Sequence, residues 1–138
     1  MNVTLAPDYK PSKKEDFMNP VMAEYFRQKL LTWRSELLND SNDTLQSLQE
    51  GGIQEPDISD RASIETDRSL ELRNRARARK LISKIDEALE RIASGEFGYC
   101  DETSEPISLS RLEARPIATL SIEAQERHER MEKTHRDY

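Results

Sequence analysis

Two long stretches of this chain, Val21–Glu50 and Arg61–Ser94, contain neither glycine nor proline, and the breakers Gly51, Gly52 and Pro56 lie between them. Uninterrupted runs of that length are either long helices or disorder, and hydrophobic periodicity decides which. In the first run Phe26, Leu30, Trp33 and Leu37 step by 4, 3 and 4, and Leu38, Ser41, Leu45 and Leu48 continue the stripe after a small shift. That spacing places one apolar stripe along an α-helix of roughly 45 Å, at 1.5 Å per residue. Asn19 reads as its N-cap and Pro20 as its first-turn residue, where a missing N–H costs nothing. In the second run Ala78, Leu81, Ile82, Ile85, Ala88, Leu89 and Ile92 form a clear stripe, which Gly95 ends. Nearer the turn the same stripe reads Asp67, Glu71 and Asn74.

Two helices of matched length joined by a short turn pair antiparallel, apolar at the base and wetter toward the tip. Only 35% of residues are apolar and 6% aromatic, while 35% are charged. A compact globule of this size needs more apolar material, so the composition fits exposed helices that stabilise each other by pairing. A polar seam near the tip costs stability that a purely structural hairpin has no reason to give up, which points to use. The same seam predicts a monomer.

The expected organisation is mainly α. Residues 1–16 form a mobile N-terminal arm, with two prolines and no periodic pattern. Residues 17–95 form an antiparallel two-helix coiled-coil hairpin with its tip at about 51–63. Residues 96–120 form a small globular head built on Phe97, Tyr99, Ile107, Leu109, Leu112 and Ile117, with a turn and short strand at Glu105–Leu109. Residues 121–138 form a charged C-terminal helix and tail.

Several function classes fall away. The formal net charge of −6 argues against blanket binding to nucleic acid, which needs a Lys/Arg excess. Cys100 is the single cysteine, so no intramolecular disulfide forms. The N-terminus lacks the apolar core of a signal peptide, and no apolar run approaches a membrane span. A soluble cytoplasmic protein without membrane contact is the natural expectation. Neither a nucleophile–base pair nor a glycine-rich phosphate loop is present, so an enzyme is not expected.

Four motifs in register carry a resemblance: Asp57-x-x-Asp60-Arg61-Ala62, Ser69-Leu70-Glu71-Leu72-Arg73-Asn74-Arg75, Glu96-Phe97-Gly98-Tyr99-Cys100, and Arg111-Leu112-Glu113-Ala114-Arg115-Pro116. From Met18 to about Gln125 the chain resembles the DksA/TraR family. The resemblance implies a transcription regulator that inserts its hairpin into the secondary channel of bacterial RNA polymerase. There it alters promoter-complex stability, as at ribosomal RNA promoters in the stringent response, often with the alarmone ppGpp. It implies neither DNA binding on its own nor catalysis, and a head that resembles a zinc ribbon.

The resemblance assigns Asp57, Asp60 and Ala62 to the tip. Acidic side chains there suit a channel leading to a magnesium-bearing active site, and Ala62 leaves room for close approach. Capping of the second helix by Asp60 is a second role compatible with the first. Arg73, Arg77, Lys80 and Lys84 step by 4, 3 and 4 and share one helix face. As residues alone they suit either a solvated, acid-paired face or a grip on an anionic partner. The resemblance implies that Arg73, Arg77 and Lys80 grip the polymerase rim and that Lys84 and Arg115 help hold ppGpp. The family has lysine where this chain has Gln125, which predicts weaker coupling to ppGpp.

Most of the family has two CxxC pairs binding zinc. The corresponding positions here are Cys100, Thr103, Ser121 and Ala124. One thiolate cannot build a four-coordinate structural site. A structural zinc contributes on the order of 10 kcal/mol to a small metal domain, so the apolar head cluster has to replace it, and no zinc is expected. His128 and His135 read as decoration of an exposed helix. A Gre-type cleavage factor, which enters the same channel with an acidic-tipped hairpin, is the nearest alternative. A dimerising coiled-coil adaptor is a more distant one.

Overall fold

The computed structural model describes residues 3–51 and 58–136, with backbone alone at 41, 43–51, 58–62 and 135–136. Its elements in chain order are α1 (Pro20–Gly51), α2 (Ile58–Ser94), α3 (Leu109–Ala114) and α4 (Ile122–Arg136). Among the described residues there is no strand, and the one β-bridge pairs Tyr99 with Pro106. The expected strand at Glu105–Leu109 is therefore corrected. Cys100 N–H donates to Glu105 O at 2.8 Å and Ile107 N–H to Gly98 O at 2.7 Å. Ser108 then caps α3, accepting from Arg111 N–H at 3.3 Å, so the chain turns into helix before a ladder can extend.

The helix ends follow the capping chemistry. Asn19 Oδ1 accepts from the N–H groups of Val21 and Met22, both at 3.0 Å, and Pro20 opens α1. α1 runs to Gly51 as the sequence predicts. α2 begins at Ile58, slightly earlier than expected, because Ile58-Ser59-Asp60 contains no breaker after Pro56. At its far end Gly95 adopts φ +80°, a conformation that favours glycine. Glu96 N–H (2.8 Å) and Phe97 N–H (3.2 Å) then return to Arg91 O, satisfying a carbonyl that the helix end would otherwise orphan.

The chain divides into two compact units, and the division falls within α1 and α2 rather than at their ends. One unit is Leu31–Asp86, which takes most of both helices as an antiparallel pair. Its two halves are bridged by Arg34 Nε and Asp86 Oδ1 at 2.8 Å. Ile85 is its one fully buried apolar residue among those described, while Leu81 and Ile82 are half-buried and Leu38, Leu70 and Leu72 exposed. Toward the tip Asp67 and Asn74 are exposed and Glu71 is half-buried.

The other unit joins Met1–Leu30 to Glu87–Tyr138. Its core is seeded by Met22, Phe26 and Leu30, spaced by one helical turn and all fully buried. Ala88, Phe97, Ile107, Leu112, Ile117 and Ala124 are buried in the same unit. Phe26 and Phe97 meet with ring centroids 5.6 Å apart, and burial of each such side chain contributes about 2–3 kcal/mol. Phe97, Ile107, Leu112 and Ile117 are core as expected, whereas Leu109 is half-buried and Tyr99 exposed. The base of the hairpin thus belongs physically with the head.

Residues 3–16, expected as a mobile arm, carry defined contacts within this unit. The Tyr9 ring meets Tyr25 edge-on at 5.9 Å, and the Tyr9 hydroxyl donates to Glu15 at 3.1 Å. Just beyond, Phe17 meets Tyr99 at 5.3 Å. Gly98, at φ +92°, lies under Phe17 and Met18, and a Cβ there would come within 2.7 Å of the Met18 methyl. The conformation and the close approach both require glycine at this position.

Candidate functional site

Asp57 lies outside the described residues. Asp60 and Ala62 fall in the first turns of α2, where the backbone alone is described.

The basic stripe is fully described. Arg73, Arg77 and Lys80 are exposed on α2. Their neighbours three and four residues away on the helix include no Asp or Glu, and none of the three forms an ion pair among the described residues. Leu70 (50% exposed) and Leu72 (52%) lie beside it, so the surface combines exposed guanidinium groups with apolar side chains. That mixture suits a protein partner: the arginines offer forks to carboxylates and the leucines offer area.

Of the residues assigned to an anion, Lys84 lies exposed in the Leu31–Asp86 unit, whereas Arg115 and Gln125 lie in the other. Arg115 forms the C-cap of α3, with its N–H on Arg111 O at 2.7 Å and its side chain exposed. Gln125 spends its amide on Glu129 at 3.3 Å. Two residues before Arg115, Glu113 accepts from Lys29 Nζ at 2.8 Å and from the Tyr25 hydroxyl. Burial alone would push Glu113 up. The Lys29 and Tyr25 bonds, with the charges of Lys29 and Lys10, outweigh burial and hold it below the usual carboxylate range. Burial, then the bond to Glu113, pushes Tyr25 up to about 12. The motif Arg111–Pro116 flags Glu113, but nothing local flags Lys29, its partner across the fold.

The four degenerate ligand positions do come together. Cys100 is buried, and its sulfur is bonded by the Thr103 side chain and by the backbone at Ser121, Thr103 and Glu102. Burial pushes the thiol up, but these hydrogen bonds outweigh it and bring Cys100 down to about 6. Asp101 N–H donates to Thr119 O at 2.9 Å, tying the two turns together. Ser121 Oγ accepts from Ala124 N–H at 3.2 Å and so caps α4. Ala124 is fully buried and offers no donor atom. His128 is bonded to Glu102, and Arg127 stands 3.9 Å from the same carboxylate. This donor set does not fit a tetrahedral structural zinc, which needs four S or N ligands. Among the described residues no three metal-ligating side chains converge.

Comparison with known proteins is consistent from end to end. The family described as DnaK suppressor protein DksA, N-terminal domain, matches residues 22–92. The prokaryotic dksA/traR C4-type zinc finger matches residues 95–130, although three of its cysteines are replaced here. The RNA polymerase-binding transcription factor DksA of Caulobacter vibrioides is 61% identical over 130 residues, 94% of this chain and 92% of the relative. The protein of the same name from Escherichia coli K12 is 41% identical over 115 residues, 83% of this chain and 76% of the relative. The structure of transcription factor DksA2 from Pseudomonas aeruginosa superposes with TM-score 0.79 at 43% identity, covering 87% of this chain and 94% of that one.

Proposed function

The chain belongs to the DksA family, and from that premise we propose that it binds bacterial RNA polymerase and regulates transcription initiation from the secondary channel. The observation that carries this reading is the exposed stripe Arg73, Arg77 and Lys80, without an ion pair among the described residues and flanked by exposed Leu70 and Leu72. Exposed cations can form charge-assisted bonds with a partner's carboxylates, which offset the cost of their desolvation.

Asp57, Asp60 and Ala62 at the turn act near the polymerase active site, altering the stability of promoter complexes such as those at ribosomal RNA promoters. Lys84 and Arg115 hold ppGpp on the complex, and Gln125 contributes less than a lysine would. The protein adds no catalytic step of its own, binds no DNA alone, and works as a cytoplasmic monomer. No helix among the described residues is long and apolar enough to cross a membrane. The head folds without zinc, held by its apolar core and the hydrogen bonds around Cys100.

In vitro transcription from a ribosomal RNA promoter, with and without ppGpp, tests the proposal. Wild-type protein inhibits. Asp60→Asn loses inhibition while still competing for the channel, and Arg73→Ala weakens polymerase binding about 10-fold, the scale of one truncated interface arginine. Failure of the wild-type protein to bind polymerase refutes the reading, and cleavage of stalled transcripts without inhibition replaces it with a Gre-type role.

A further inference from the structure

Residues 3–19 precede the stretches that match the family at 22–92 and 95–130, yet they fold as a series of locked turns. Tyr9 N–H donates to Ala6 O at 3.0 Å, Glu15 N–H to Ser12 O at 3.3 Å and Asn19 N–H to Asp16 O at 3.2 Å. The Tyr9 hydroxyl reaches the Glu15 carboxylate, 3.1 Å from either oxygen, and so closes the segment into a loop. Asn19, whose Oδ1 caps α1, also donates its Nδ2 to Asp16 O at 2.8 Å. The far end of the loop is thereby tied to the helix it leads into. Local side-chain bonds of this kind fix a backbone that has no helix or strand to hold it.

The loop bears on one turn of the head. Phe17 meets the exposed ring of Tyr99 edge-on at 5.3 Å, and Gly98 lies against Phe17 and Met18 with no room for a side chain. From within, ring contacts run from Tyr9 to Tyr25 (5.9 Å), from Tyr25 to Phe26 (5.2 Å) and from Phe26 to the buried Phe97 (5.6 Å). Phe97, Gly98 and Tyr99 are consecutive, so the N-terminal segment reaches this turn directly through Phe17 and Met18 and, from Tyr9, through two rings of α1. The turn itself is held by Ile107 N–H on Gly98 O, Cys100 N–H on Glu105 O and Ser104 N–H on Cys100 O (2.9 Å). Cys100, the next residue, is 2% exposed.

We propose that residues 9–19 are a clasp that holds the Phe97–Gly98–Tyr99 turn closed and keeps solvent from the buried Cys100. The clasp acts as a unit. Tyr9 fixes one end on Tyr25, Asn19 fixes the other on α1, and the Tyr9–Glu15 bond closes the loop between them. Phe17 is therefore delivered to Tyr99 and Gly98 with little conformational freedom left to lose on packing. Gly98 is the matching half, since a side chain there would displace Phe17 and Met18. Release of either end opens the turn and admits solvent to Cys100, while the core around Phe26 and Leu30 stays folded. Such local opening is distinct from global unfolding and has its own signature in amide exchange.

The test is hydrogen exchange of single amides in the full chain, read at Cys100, Ser104 and Ile107 in the turn and at Phe26 and Leu30 in α1. Phe17→Ala is expected to speed exchange in the turn by about 3- to 10-fold, the scale of one aromatic contact, and to leave the α1 amides unchanged. Phe17→Leu keeps the apolar bulk and loses only the ring contact, so it carries the test if Phe17→Ala does not fold, and a rise of about 3-fold is expected. Tyr9→Ala, at the other end of the loop, is expected to speed the same turn amides. Lys13→Ala, on the exposed side, is expected to speed none. The Cys100 thiol is expected to react with an aromatic disulfide reagent faster in the Phe17 and Tyr9 variants by the factor seen in exchange. Unchanged turn amides in both Phe17 variants overturn the proposal. A rise in the Phe17 variants without one in Tyr9→Ala makes Phe17 a lone packing residue, and there is no clasp. An equal rise at Phe26 and Leu30 makes the effect global unfolding and overturns it as well.

Discussion

Replacing Cys100 with serine keeps the size of the side chain and its capacity to accept hydrogen bonds, but removes an ionisable thiol. The sulfur is buried, and it is held as an acceptor by Thr103 and by backbone groups of Glu102, Thr103 and Ser121. Burial raises its pKa and those bonds lower it more, from an ordinary value of 9.0 to about 6. Because the folded-state pKa is depressed, the thiolate contributes stability that is complete above about pH 9, the unfolded value. That contribution is lost as pH falls through about 6. Between pH 8 and pH 5 the linkage amounts to about 2–3 kcal/mol, at 1.36 kcal/mol per pKa unit. Glu113 also has a depressed pKa, but its contribution is lost below the ordinary carboxylate value of 4.5 and leaves this window clear. Urea unfolding of chelator-washed protein at pH 5, 6, 7 and 8 measures the slope, and thiolate absorbance near 240 nm locates the titration. Wild type is expected to lose about 2–3 kcal/mol across the range, and Cys100→Ser to be nearly flat. Parallel pH profiles for the two proteins, or a thiol that titrates near 9, refute the argument that hydrogen bonds hold a thiolate at the heart of the head.

Two further outcomes follow from the packing and the donor set. Phe26→Ala removes a fully buried ring that Phe97 leans on, and is expected to destabilise the protein by about 3–5 kcal/mol in urea melts. Elemental analysis of chelator-washed protein is expected to find far less than one zinc per chain, with the thermal midpoint unmoved by chelator. Stoichiometric retained zinc contradicts the zinc-free head.

The two long helices were legible because their lengths, caps and breakers are local chemistry. Asn19-Pro20, Gly51 and Gly95 mark their ends, and the step from apolar to polar residues along α2 announces the wet seam. The boundary between compact units was not legible, because Phe26 and Leu30 look the same whether they face another hairpin helix or the head. Only the fold reveals that Phe26 meets Phe97. The head departs from its local pattern at Glu105–Leu109, where Ile107 and Leu109 suggest a strand but Ser108 caps a helix. The stripe on α2 was visible as a spacing, while the exposure of Arg73, Arg77 and Lys80 emerged from the structure. Lys29 and Glu113 lie too far apart in sequence for any local pattern to join them.

Ala124 has consequences for the routes by which such a chain can change. Every cysteine needed for zinc would have to enter a place already occupied by another task. A thiol at 124 adds a sulfur to a fully buried position, and a thiol at 121 removes the hydroxyl that caps α4. Either substitution alone, or that at Thr103, carries its cost without delivering a fourth ligand. A single substitution at any of these positions therefore leaves the site short of four ligands.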